Sequence, residues 1–151
     1  MKIRTVHLVD LENVVGSGHL TEYAAHNAYT AYTGLGVVGP CDLVIVGVSH
    51  HNLIAASYGW PHARCRARSG PDGADLLLQE VMGDEHLEDR FGAALLVTGD
   101  GGFAEPVAAL IGRGLPVSVI APAGRLSTKL RLAASAVREV HFDDYSIARS
   151  A

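Results

Sequence analysis

The sequence predicts an α/β fold of three layers, α/β/α, with a mainly parallel central sheet. Three observations lead there. Short apolar runs rich in β-formers recur at 3–9, 42–49, 91–100 and 115–121. The stretches between them carry apolar residues at helical spacing and are too long for hairpin turns. Two of the runs end on an acid, "HLVD" at Asp10 and "LLVTGD" at Asp100. Strands joined by helical crossovers are parallel and covered on both faces. Both acids then fall at the carboxyl edge of one sheet, where doubly wound folds bind their ligands.

Residues 3–9 are the first strand. Residues 20–32 are Ala-rich and helical, with Leu20, Tyr23, Ala24, Ala28 and Ala31 as the expected apolar face. Gly34, Gly36, Gly39 and Pro40 end that helix. A second strand at 42–49 leads into a short helix, "HNLIAASYG", and Pro61 marks the start of a third strand at 62–69. A helix follows at 73–87, then the fourth strand, "FGAALLVTGD". Phe103, Pro106, Val107, Leu110 and Ile111 share one helix face. Pro106 fits only in the first turn of that helix, and Gly114 ends it. The fifth strand is 115–121, Ser127 is the expected N-cap of a helix to Ala134, and "AVREVHF" adds a last short strand. No repeat, low-complexity tract or linker divides the chain, so 1–151 is expected to be a single domain.

A chain of 151 residues with 48% apolar and 19% charged residues can bury one core and is not disordered. No apolar run approaches the ~20 residues of a membrane span. The opening "MKIRTVHLVD" runs straight into Asp10 and Glu12 and makes a poor signal peptide, so a cytoplasmic protein is expected. Cys41 and Cys65 are then reduced thiols. His62 and Cys65, with His50 and His51 upstream, offer zinc ligands but lack an accompanying C-x-x-C. A net charge of -4 argues against coating nucleic acid through charge alone. It does not exclude a nuclease, whose centre must concentrate carboxylates that bound cations then offset.

Asp10, Asp75 and Asp100 are the candidate centre. Each has a local alternative. Asp10 can cap a turn, Asp75 suits the dipole of the helix it opens, and Asp100 can hold a Gly-rich loop. Converging carboxylates repel one another and persist around a cation or with one group protonated. Hard oxygen ligands without a matched Cys/His set suit Mg²⁺ or Mn²⁺. Glu12 would join Asp10 on one face of an extended backbone. Asn13 offers an amide to a phosphate oxygen or a water, and Thr98 and Ser127 offer hydroxyls at the same edge. Gly101 leaves room for a phosphate near the next helix. Arg64, Arg66 and Arg68 share one face of the third strand, as a protected sheet edge or as a phosphate-contacting stripe. Arg125, Lys129, Arg131 and Arg138 cluster around the helix opened by Ser127, with Arg125 and Lys129 closest to the edge. His50 and His51 end the second strand at that edge. Asp143 and Asp144 are expected to be solvated.

"VDLENV", "GADLLL", "LLVTGDGGF" and "GRGLPVSVIAPAGRLSTKLRLAASAVREV", in this order, resemble the NYN domain family of the PIN-like nuclease superfamily. The resemblance runs from Val9 to about Val140. It implies a PIN-like, Rossmann-like fold, metal-dependent cleavage of RNA, single-stranded RNA as partner, and a homodimer. It places the family's first acid on Asp10, its asparagine on Asn13, its mid-chain acid on Asp75, its strand-end acid on Asp100 and its helix-opening serine on Ser127. The chain departs from the family's G-D-x-D-F pattern, because Gly102 stands where a second acid is usual. Asp72 likewise stands where a basic residue often precedes G-A-D. Asp72 or Glu80 is a possible substitute ligand, and with one acid fewer a single-metal site or a weak second site is expected.

The leading function is therefore a metal-dependent ribonuclease with Asp10, Asp75, Asp100 and Asn13 at its centre. The alternative is a PIN-like RNA-binding or regulatory module with weakened or lost turnover, which Gly102 favours. A metal-dependent phosphatase or nucleotide-binding enzyme is a third reading, weakened by the lack of a phosphate-binding lysine motif.

Overall fold

A computed structural model describes residues 3–142. Asp143 and Asp144 lie outside the described residues. From β1 (Thr5–Asp10) the chain passes through α1 (Leu11–Val15) and α2 (Glu22–Gly34) to β2 (Leu43–Ser49). A 3₁₀ turn (His50–Asn52) and α3 (Leu53–Gly59) lead to β3 (Arg64–Arg68). The chain then crosses the sheet through α4 (Gly73–Asp84) and α5 (Leu87–Arg90) to β4 (Ala93–Val97). A second 3₁₀ turn (Gly101–Phe103) and α6 (Ala104–Gly112) precede β5 (Val117–Pro122), and α7 (Thr128–Ala133) precedes β6 (Ala136–Val140).

The six described strands are all parallel, in the order β3-β2-β1-β4-β5-β6. Connections from β1 run outward in one direction and those from β4 in the other. The order therefore reverses between β1 and β4, and a crevice opens beyond their carboxyl ends. The strand period of two sorts side chains to the two faces. Val6 and Leu8 pack with Leu78, Met82, Phe103 and Leu110 on the α4/α6 side. Val9 packs with Leu11, Ala25, Tyr32 and Trp60 on the α2/α3 side. The same alternation turns Asp10 toward α4.

Four local expectations are corrected. Tyr23 is 70% exposed; α2 buries the expected Ala28 and Ala31, with Ala25 and Tyr32 in place of Tyr23. The small face lets α2 lie close on α3, where a Cβ at Gly59 would come within 2.6 Å of Ala25 Cβ. The residues after Asp10 are helical and not extended, because Leu11 and Val14 both find burial and Gly16 ends the turn at φ 81°. The helix expected over 73–87 stops at Asp84, and the chain turns at His86 with φ 50° before α5. Ser127 sits at the N-cap position of α7, yet its side chain makes no capping bond there.

Candidate functional site

β1 delivers Asp10 to the crevice almost fully buried. Its carboxylate accepts the N–H of Asn13 at 3.4 Å and the hydroxyl of Thr98 at 3.1 Å. The register that pairs Val9 with Val97 brings Thr98 alongside. Thr98 is fully buried, and its oxygen also accepts the N–H of Asp100 at 3.2 Å. Its hydroxyl is taken up by two acids, a positioning arrangement that the sequence did not indicate.

Asp100 follows β4, and its carboxylate accepts the N–H of Gly102 at 2.9 Å. Close approach shapes this turn. A Cβ at Gly99 would run into the carbonyl of Arg125, and one at Gly101 would meet Ser127 Oγ. Ser127 N–H donates to the Gly99 carbonyl at 2.9 Å, and Asn13 Oδ1 accepts the Gly99 N–H at 2.9 Å. Gly101, Ser127 and Asn13 thus hold the turn from both sides. Packing against Ser127 by itself accounts for a glycine at 101, beside the phosphate-binding role expected for it. Lys129 is exposed beside Ser127, next to the same turn.

Asp75 comes from the first turn of α4. Its carboxyl lines one pocket with those of Asp10 and Asp100, close enough that both raise its pKa. The three acids expected to converge do so, at the point where the strand order reverses. They line an open pocket of about 210 Å³ with Glu12, Asn13, Asp72 and Ala74. Asp72 stands at φ 57°, a backbone conformation costly for a residue with a side chain. Glu80 is elsewhere, paired with Arg68. Glu12 reaches the pocket from α1, and its carboxylate accepts from Ser49 N–H at 2.6 Å and Asn52 Nδ2 at 2.7 Å.

Burial raises Asp75, and hydrogen bonds to the two neighbouring acids raise it further, up to about 9. Burial raises Asp10 too, while the bonds from Asp75, Thr98 and Asn13 pull the other way. Burial and the crowding of the three acids both favour a retained proton within the cluster, with Asp75 the most strongly raised. A divalent cation would replace that proton. The donors around it are hard oxygens, as Mg²⁺ or Mn²⁺ requires, so the residues fit such an ion.

The arginine stripe lies on the edge strand β3. Arg66 pairs with Glu85 at 2.6 Å and Arg68 with Glu80, both from the end or body of α4, while Arg64 is exposed. Two of the three guanidinium groups tie strand to helix. His62 and Cys65 stand at the amino end of β3 and His50 and His51 beyond the carboxyl end of β2, so they form no common zinc site. Among the described residues, His86, Glu88 and Asp89 bring one ligand atom each within 4.8 Å of the others. They sit at the opposite edge of the sheet, and Arg113 pairs with Glu88 at 3.3 Å. A cation is already supplied there.

Sequence reading missed Asn52 and His7, both fully buried. Asn52 joins Glu12 to the loop before α2. His7 bonds Tyr32 and Asp42. The signal for His7 was a polar residue inside an apolar strand. Nothing local marked Asn52.

No family model matches the chain, and no curated protein matches it. It is similar in fold to a crystal structure of a protein of unknown function from Vibrio parahaemolyticus. The identity is 16%, 92% of this chain and 93% of that one are covered, and the TM-score is 0.58. The fold is thus an α/β one seen in a distant protein. No described helix is long and apolar enough to cross a membrane.

Proposed function

We propose that this protein is a divalent-metal-dependent ribonuclease of the NYN/PIN-like kind, acting through Asp10, Asp75 and Asp100. The convergence of these acids from β1, α4 and the turn after β4 on an open pocket carries the reading. Asp10, Asp75 and Asp100 would hold Mg²⁺ or Mn²⁺. Bound there, the ion would polarise a phosphodiester and lower the pKa of a water. Thr98 fixes Asp10, and Asn13 fixes the Asp100 turn, so both act as positioning residues. Lys129, beside the Asp100 turn, supplies positive charge for a phosphate backbone, whereas the Arg125 guanidinium is held by the Val14 carbonyl at 3.1 Å. The protein works in the cytoplasm on this reading, and a homodimer accords with it.

A second reading, an RNA-binding module with weak turnover, draws on Gly102. A Cβ there would meet only the Asp100 carboxylate, at 3.5 Å and beyond. The position faces the site and contributes no ligand. Labelled single-stranded RNA incubated with protein and Mn²⁺ or Mg²⁺, against an EDTA control, separates the two. Metal-dependent cleavage that Asp100→Asn removes supports the nuclease. RNA binding without cleavage supports the module, and neither binding nor cleavage defeats both.

A further inference from the structure

Beside the acid pocket, the rings of His19 and His51 stack with centroids 6.2 Å apart and planes 11° apart. Both residues are exposed. Their placement is built from below. The buried Asn52 amide donates to Glu12 at 2.7 Å and to the Gly18 carbonyl at 3.0 Å, and its oxygen accepts the Leu20 N–H at 2.9 Å. His51 Nε2–H donates to the same Gly18 carbonyl at 2.7 Å. Glu12 lines the acid pocket. One buried amide therefore ties the pocket wall, the 18–20 loop and the 3₁₀ turn together, and joins the segments that carry His19 and His51 to Glu12 of the pocket.

We infer that His19 and His51 are a nucleobase-stacking platform for single-stranded RNA entering the acid pocket; this rests on the ribonuclease reading of that pocket. The His51 ring, fixed by the Gly18 carbonyl, gives up side-chain freedom while staying exposed, and His19 lies parallel to it. An unstacked base has a free π-face that such rings can cover, and histidine serves in this way in RNA recognition. A base inside a duplex has both faces occupied, so the platform selects single strands. Purines, with the larger face, are held better than pyrimidines.

The test is fluorescence anisotropy with Mg²⁺ present, on the full chain carrying Asp100→Asn to stop turnover. The probes are labelled oligoadenylate, oligouridylate and a hairpin of equal length. Oligoadenylate is expected to bind tightest and the hairpin weakest. His19→Ala and His51→Ala are each expected to weaken oligoadenylate binding about fivefold or more. His19→Phe is expected to keep it, and the salt slope to stay unchanged because no phosphate contact is lost. Alanine variants that bind like their parent overturn the platform and leave the acid site standing. Equal loss with alanine and phenylalanine overturns it too, since a flat ring then does not suffice. No RNA binding by the Asp100→Asn parent overturns both the platform and the ribonuclease reading.

Discussion

His7 and Asp10 stand three residues apart on β1, on opposite faces of the sheet, and each belongs to a buried polar cluster. Around His7 every group is answered. Nδ1 lies 2.6 Å from Tyr32 Oη, and Nε2 lies 2.9 Å from Asp42. Asp42 also accepts the N–H groups of Thr5 at 2.9 Å and Gly39 at 2.8 Å. Burial alone would raise Asp42, but His7 and these N–H groups outweigh it and hold the carboxyl below its ordinary value. Around Asp10 the neighbours are further acids, and among the described residues no ion pair reaches Asp10, Asp75 or Asp100. One acid there must keep a proton. The first cluster is complete as a structural joint between β1, α2 and the start of β2. The second has no counter-charge among the described residues, and a cation would supply it, as the proposed function requires.

The sharpest way to break this comparison is to exchange the acids for amides. Asp10→Asn and Asp100→Asn should each lower metal-dependent RNA cleavage by at least about a hundredfold. In EDTA, Asp100→Asn should not lose stability, because the removal relieves repulsion while the amide oxygen still accepts the Gly102 N–H. Asp10→Asn keeps only one of the two oxygens that accept from Asn13 and Thr98, which partly offsets the relief. Wild-type cleavage rates in either variant would remove that acid from the centre.

His7→Ala should do the reverse. Leaving the Tyr32 hydroxyl and the Asp42 carboxylate without their partner should cost about 3 kcal/mol of unfolding free energy in urea titration. Cleavage per folded molecule should hardly change. A stable His7→Ala protein would mean that the amino-end cluster is dispensable.

The two clusters should also respond to pH with opposite sign. Asp42 has a lowered pKa, so its contribution is present above its unfolded value and is lost as pH falls through the folded one. Asp75 is raised from 3.8 to about 9, so its contribution is complete below 3.8 and is lost as pH rises toward about 9. In EDTA, Asp75→Asn should flatten the alkaline decline and Asp42→Asn the acid one, read from urea midpoints across the range. At neutral pH, Mn²⁺ binding should expel the Asp75 proton. Calorimetric titrations in two buffers of different ionisation enthalpy would count it, and no proton release would contradict the protonated Asp75.

The smallest expected effect is at Gly102. Gly102→Asp would place a carboxylate beside Asp100, at the start of the turn leading to α6, with no steric obstacle closer than 3.5 Å. It should tighten Mn²⁺ binding severalfold and raise cleavage at limiting metal, about as far as one added ligand can. Unchanged affinity in a folded variant would mean that the added side chain turns away from the pocket.

The chain's own pattern was sufficient for the alternation of strands and helices, because apolar periodicity is a local property that burial on a sheet imposes. It also placed Asp10 and Asp100 at the strand ends and Asp75 in a first helical turn, since parallel strands bring all carboxyl ends to one edge. Glycine at 99 and 101 announced a tight turn, though packing against Arg125 and Ser127 was invisible locally. Tertiary structure alone decided which face of α2 is buried, for Tyr32 turns inward to a histidine 25 residues away. It decided that Glu12 is held by Ser49 and Asn52, that Arg66 and Arg68 are spent on α4, and that Thr98 serves Asp10 across 88 residues. Hydrogen bonds and ion pairs between distant segments depend on the register of neighbouring strands and the seating of helices. A carboxylate's charge state depends on how far its neighbours stand and how much water they leave, and both are set only when the sheet has closed.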